Sequence, residues 1–144
     1  MTAPRATGRR IHVFVSDASD VDWARQTARG LAMRQGMTET KAVALATAVS
    51  EIARNIVVHA GRGQLSFHPV TDGSRSGIVV VASDEGPGIA DIEQAMRDGY
   101  STKGSLGLGL SGAKRLVDEF DIVSAPGAGV TITLTQWHEG DSLD

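Results

Sequence analysis

Hydrophobic positions change their period along the chain, and those changes divide it into elements. Over residues 10–16 they alternate, with Ile11, Val13 and Val15 on one side and His12 on the other, the mark of a half-buried strand. A helix capped by Ser19 or Asp20 follows, with Val21, Ala24, Ala28, Leu31 and Ala32 at helical spacing to about Gln35 and Gly36 as its stop. That spacing by itself means core packing. A second helix runs from an N-cap at Thr38 to about His59, its stripe formed by Ala42, Leu45, Val49, Ile52 and Ile56. Strand patterns return at residues 64–70 and 77–83, an antiparallel pair joined by a polar loop over 71–76. A short helix is expected over 89–97 and an amphipathic one from about Leu108 to Glu119, after which 120–124 lead into a turn at Gly127-Ala128-Gly129. Residues 130–137 close the pattern as a strand with Val130, Ile132 and Leu134 on its apolar face. Residues 1–9 read as a disordered start and 139–144 as an acidic tail, leaving one domain over 10–138.

Composition narrows the functional classes. A chain of 144 residues with 41% hydrophobic content holds one real core. The net charge of -3 and the absence of a basic block beyond Arg5 to Arg10 give no footprint for nucleic acid, which is not expected as a partner. No cysteine, no charged-then-apolar leader and no apolar run near the roughly 18 residues of a membrane span are visible, so a cytoplasmic protein without a membrane partner is expected. His12, His59, His68 and His138 show no zinc spacing.

The chemistry concentrates between residues 84 and 110. The apolar run 77–83 places Asp84 at a strand end, followed by Gly86-Pro87-Gly88, so a carboxylate faces a cleft beside a glycine-allowed loop. Gly104, Gly107 and Gly109 precede a helix and allow backbone N–H groups to approach an anion at its N-terminus. Their spacing fits neither the dinucleotide fingerprint nor the P-loop. Singly, such glycines are as compatible with ordinary turns. Glu51 and Asn55 stack one turn apart on the second helix, bordering its apolar stripe.

Taken in order, Glu51-x-x-x-Asn55, Asp84-x-Gly86-x-Gly88 and Gly104-x-x-Gly107-x-Gly109-Leu110 resemble the Bergerat ATP-binding fold of the GHKL superfamily, shared by gyrase, histidine kinases and MutL. Within it the chain is most similar to the RsbT-like serine/threonine kinases of bacterial partner-switching and stressosome pathways. Residues 50–56, 86–92, 98–102 and 114–120 carry that closer likeness, which extends over about 11–137. It implies an α/β two-layer sandwich, a mixed, mostly antiparallel sheet covered on one face by helices. It also implies ATP and Mg2+ as cofactors. Asp84 would accept from the adenine amino group, backed by Thr131, with Gly86 and Gly88 admitting the base. Gly104, Leu106, Gly107, Leu108, Gly109 and Leu110 would present the phosphate loop, Asn55 would hold Mg2+, and Glu51 would be the catalytic base. Lys103 either reaches the phosphates or stays solvated in a lid over 98–103. Arg54 either belongs to this arrangement or is a surface arginine.

By the same resemblance, the expected function is transfer of phosphate from ATP to a serine or threonine of a STAS-domain partner, with a downstream phosphatase as a second partner. The runner-up is an anti-sigma factor that sequesters a sigma subunit and phosphorylates its antagonist, and the third is a nucleotide-dependent adaptor without catalysis.

Overall fold

The computed structural model describes residues 5–86, 96, 109–124 and 127–138. Two central strands, β3 (Gly63–Asp72) and β4 (Arg75–Asp84), form a long hairpin. Its turn is tighter than the expected loop, because pairing continues to Asp72 and Arg75 and only Gly73 and Ser74 are left between. β2 (Ile11–Val15) and the two-residue β1 (Arg5–Ala6) both pair with β3, so the stretch expected as a disordered start contains an edge strand. On the other side β4 pairs with β6 (Val130–His138), which pairs with β5 (Glu119–Ser124). All five pairings are antiparallel. Three helices, α1 (Ala18–Arg34), α2 (Glu39–His59) and α3 (Gly109–Leu116), cover one face, giving the mostly antiparallel two-layer α/β architecture that the resemblance implied.

The core lies between those layers. Val13, Val15, Leu65, Phe67, Ile78, Val80, Ala82, Ile132 and Leu134 alternate toward the helices and meet Leu31, Leu45, Val49, Ile52 and Ile56. α2 is the central helix, packed by α1 on one flank and α3 on the other. It is long and apolar enough to cross a membrane by length and composition, which the sequence reading missed, yet here half of that stretch is buried within the domain. Thr38 caps it as expected, accepting from the Lys41 N–H at 3.2 Å. The cap of α1 differs: it is Asp17, two residues before the expected Ser19. Its carboxylate takes the Asp20 N–H at 3.0 Å while Asp20 reaches back to the Ser16 N–H at 2.9 Å. The Ser19 hydroxyl, followed by that N–H, holds the Asp17 carboxyl below its ordinary range.

α3 stops at Leu116, earlier than the periodicity suggests, and Glu119 belongs to β5. The cause is buried Gln136. Its amide donates to the Leu116 carbonyl and its oxygen accepts from the Asp118 N–H at 2.9 Å, satisfying groups that a longer helix would have paired, while the same amide also reaches the Lys41 carbonyl of α2. Asp118 then accepts from Lys41 Nζ and from the Trp137 N–H. Replacing Gln136 by Leu strands two backbone groups, the Leu116 carbonyl and the Asp118 N–H, and an expected loss of about 1–3 kcal/mol is measurable by urea unfolding.

On the face away from the helices, His68 Nε2 lies 2.8 Å from the Ser66 hydroxyl, and exposed His12 stands opposite Ser66. Burial first, then the charges of Arg10 and His12, hold His68 below its ordinary 6.5. The unfolded chain therefore binds this proton more readily. The contribution of His68 to stability is complete above about pH 6.5 and is lost as pH falls through its lowered folded value. A His68→Gln variant keeps a partner for Ser66, so unfolding compared with wild type should show a flatter decline below pH 6.5.

Candidate functional site

The site forms at the end of the sheet where β4 finishes against the last turn of α2. Asp84 is half-buried, and alternation sets its side chain on the helical side with Ala82 and Val80. Its Oδ1 accepts the Gly86 N–H at 2.8 Å, closing a turn and leaving Oδ2 for an outside donor. Gly86 proves to matter for packing: a Cβ there would stand 2.6 Å from Ala60 Cβ, so only glycine lets this turn lie on the end of α2. Two further glycines were not singled out as site residues from the sequence. Gly63 on β3 leaves room for the Asp84 and Ile56 side chains. Gly129, at a φ of 77°, runs so close that a Cβ would collide with the Asp84 carbonyl oxygen. Neither has a spacing signal; the strand register reveals them.

A cleft of about 890 Å³ opens at this end of the sheet, lined by Val15 and Ser16 at the end of β2, Ala60 at the end of α2, Gly63, Asp84 and Glu85, and by Phe14, Gln64 and Ser83 on the sheet face away from the helices. Asn55 and Glu51 precede Ala60 on α2. At ~1.5 Å rise per residue they lie about 7–8 Å and 13–14 Å back along the helix axis. Glu51 is set into the surface, 12% exposed, and its Oε1 accepts from Arg54 Nη1 at 2.9 Å, while the arginine is 43% exposed.

Gly109 opens α3 with a φ of 53°. The Leu110 side chain is in the hydrophobic core, 3% exposed, so its backbone N–H is the part of this residue that can address a ligand. Thr131 requires a correction. It is paired with Ser83, whereas Val130 stands opposite Asp84. Directly opposed residues share a face, so the Thr131 hydroxyl projects on the far side of the sheet from the Asp84 carboxylate and cannot support it. Gly88, Lys103, Gly104, Leu106, Gly107 and Leu108, with the expected helix at 89–97 and lid at 98–103, lie outside the described residues, apart from Met96, which packs on the core.

A strand-end aspartate turned onto a helix with Glu and Asn one turn apart is matched at the level of the whole domain. Residues 14–136 fit the family described as the histidine kinase-like ATPase domain. The chain belongs to the histidine kinase-like ATPases. It is 44% identical to the serine/threonine-protein kinase RsbT of Bacillus subtilis over 118 residues, which are 82% of this chain and 89% of that protein. It is 28% identical to an anti-sigma F factor of a Thermoanaerobacter strain over 134 residues, 89% of this chain and 92% of that one. Among solved structures, the RsbU and RsbW domains of a Mycobacterium tuberculosis protein superpose with a TM-score of 0.64 at 20% identity, over 92% of this chain and 33% of that chain. That likeness bears on fold alone. As a histidine kinase-like ATPase, the domain takes ATP.

Among the described residues no three His, Cys, Asp or Glu side chains gather into a metal cage. The donor set for a metal is sparse, the Asn55 amide oxygen on α2. Such a set fits Mg2+, which takes one or two protein oxygens and completes its shell with phosphate and water.

Proposed function

We propose that this chain is an ATP-dependent protein serine/threonine kinase that modifies a STAS-domain partner and exchanges partners as a result. The likeness to the RsbT kinase over most of both chains carries this reading, and the position of Glu51 on α2 supports it. In it, Asp84 Oδ2 accepts from the adenine amino group and the phosphates run along α2 toward the N-terminus of α3. Asn55 holds Mg2+, which when bound neutralises charge on the phosphate oxygens. The acceptor hydroxyl oxygen attacks the γ-phosphorus, its proton passes to Glu51, and the bond to the bridging oxygen breaks to release ADP. The lid over 98–103, with Lys103, and the loop carrying Gly104, Leu106, Gly107 and Leu108 belong to this reading as phosphate contacts, and Gly88 as a contact to the base. A cytoplasmic location, where ATP and such partners meet, goes with it.

Phosphorylation adds close to two negative charges beside the Glu51 carboxylate and favours release of the product. The test is incubation with radiolabelled ATP, Mg2+ and STAS-domain proteins encoded near this one, followed by phosphosite mapping and affinity measurement before and after. Phosphate on a serine or threonine and weaker binding afterwards are expected; phosphate on histidine, or tighter binding, would overturn the model. The anti-sigma F relatives favour a second reading, sequestration of a sigma subunit. Co-purification with a sigma subunit, absent in the first reading, distinguishes it.

A further inference from the structure

Five ion pairs occur among the described residues, and four are of the kind that decorates any surface. In those four the acid side chain is 30–72% exposed: Asp72 30%, Asp118 39%, Asp22 53% and Glu39 72%. The fifth is different. Glu51 is only 12% exposed, while its partner Arg54 sits at the rim of the same helix face, one turn on. The bond gives an inset carboxylate its partner, and it also holds that carboxylate in one orientation. The contact is specific: Nη1 of Arg54 engages Oε1 of Glu51 at 2.9 Å, and Arg54 is the only described residue bonded to that carboxylate.

We infer that Arg54 is a positioning residue for the phosphoryl-transfer step, holding Oε1 so that Oε2 is the oxygen that accepts the proton. The inference rests on the assignment of Glu51 as base given above. A glutamate side chain has three rotatable bonds, and a base acts only when a lone pair points at the proton within hydrogen-bond reach. Anchoring one oxygen from the rim removes most of that freedom and leaves the second oxygen as the one open to the proton. In the transfer, the attacking oxygen forms its bond to the γ-phosphorus, its proton moves to Oε2, and the electron pair of the broken bond leaves on the terminal oxygen of ADP. The proton on Oε2 then returns to water. Arg54 touches none of the reacting atoms and acts through Glu51.

Water can stand in for the hydroxyl, which allows a test without any partner protein. The probe is single-turnover hydrolysis of radiolabelled ATP with Mg2+ by the full chain, with nucleotide affinity measured alongside. Arg54→Ala should lower the rate constant roughly 10- to 100-fold, the scale of misplacing a reacting group by about 1 Å, with ATP affinity changed by less than about 2-fold. Arg54→Lys, which restores the charge without the planar fork, should recover part of the loss. In a Glu51→Ala background, adding Arg54→Ala should cost less than about 2-fold, because two residues acting as one unit are not additive.

A loss from Arg54→Ala that persists undiminished without Glu51 would overturn the inference and give Arg54 its own contact with the phosphates. So would an unchanged rate in Arg54→Ala, or weakened ATP affinity as its main effect. If Glu51→Ala alone hydrolyses ATP at the wild-type rate, it is the assignment of the base that fails. That result is read from a different variant and is not confused with failure of Arg54.

Discussion

An Asp84→Asn variant should bind ATP roughly 100-fold more weakly while unfolding at the wild-type midpoint. The geometry makes the outcome specific. Oδ1 of Asp84 accepts from the Gly86 N–H at 2.8 Å, and this bond forms the turn that lies on Ala60. Asparagine can keep that turn only by giving its single carbonyl oxygen to Gly86. Its NH2 group then occupies the place of Oδ2, and under the proposed binding mode a donor faces the adenine amino donor. Losing one hydrogen bond and leaving both donors unpaired costs about 1–3 kcal/mol, which spans the expected loss. Titration calorimetry with ATP and Mg2+ measures the affinity, and thermal unfolding without nucleotide checks the fold. An unchanged affinity would remove Asp84 from the nucleotide site.

The second large effect should be a split between binding and chemistry in Glu51→Ala. ATP affinity is expected to stay within about 2-fold of wild type, while phosphoryl transfer falls roughly 100- to 10,000-fold, the scale for loss of a general base. The substitution removes an inset carboxylate and leaves Arg54, 43% exposed, to be solvated, so the fold should persist. Rapid-quench measurement of transfer from ATP separates the two quantities. Wild-type transfer by this variant would place the base elsewhere.

The parts of this arrangement differ in how far residues alone reveal them. α2 was legible because a 21-residue stripe and the Thr38 cap agree with each other. Asp84 was legible because an apolar run ends there, and the pattern of Glu51, Asn55 and the glycines carries the family. Thr131 was misplaced by a single residue. One strand announces its own alternation but not its phase against a neighbour, and only the pairing of Val130 with Asp84 fixes which side each faces. The short α3 and the strand after it were hidden for another reason: the Gln136 side chain, about twenty residues away, supplies the bonds that end the helix. Asp17 was passed over as a cap because Ser19 and Asp20 are equally good cap types, and the choice between them lies in backbone geometry.

The inset of Asp84 against the end of α2 also makes that helix a gauge. A hydrogen-bonded helix neither stretches nor shortens, so the span from the turn at Ala60 back to Glu51 is a fixed length of about 13–14 Å with a fixed angular phase of ~100° per residue. Side-chain substitutions leave both quantities untouched. Adding a single residue between Asn55 and Ala60 would lengthen the span by only ~1.5 Å but swing Glu51 and Asn55 together through about 100°, away from the line that leads to Asp84. This segment should therefore admit changes of residue type far more readily than changes of residue number, an intolerance of insertion and deletion that arises in the middle of a helix, remote from any loop.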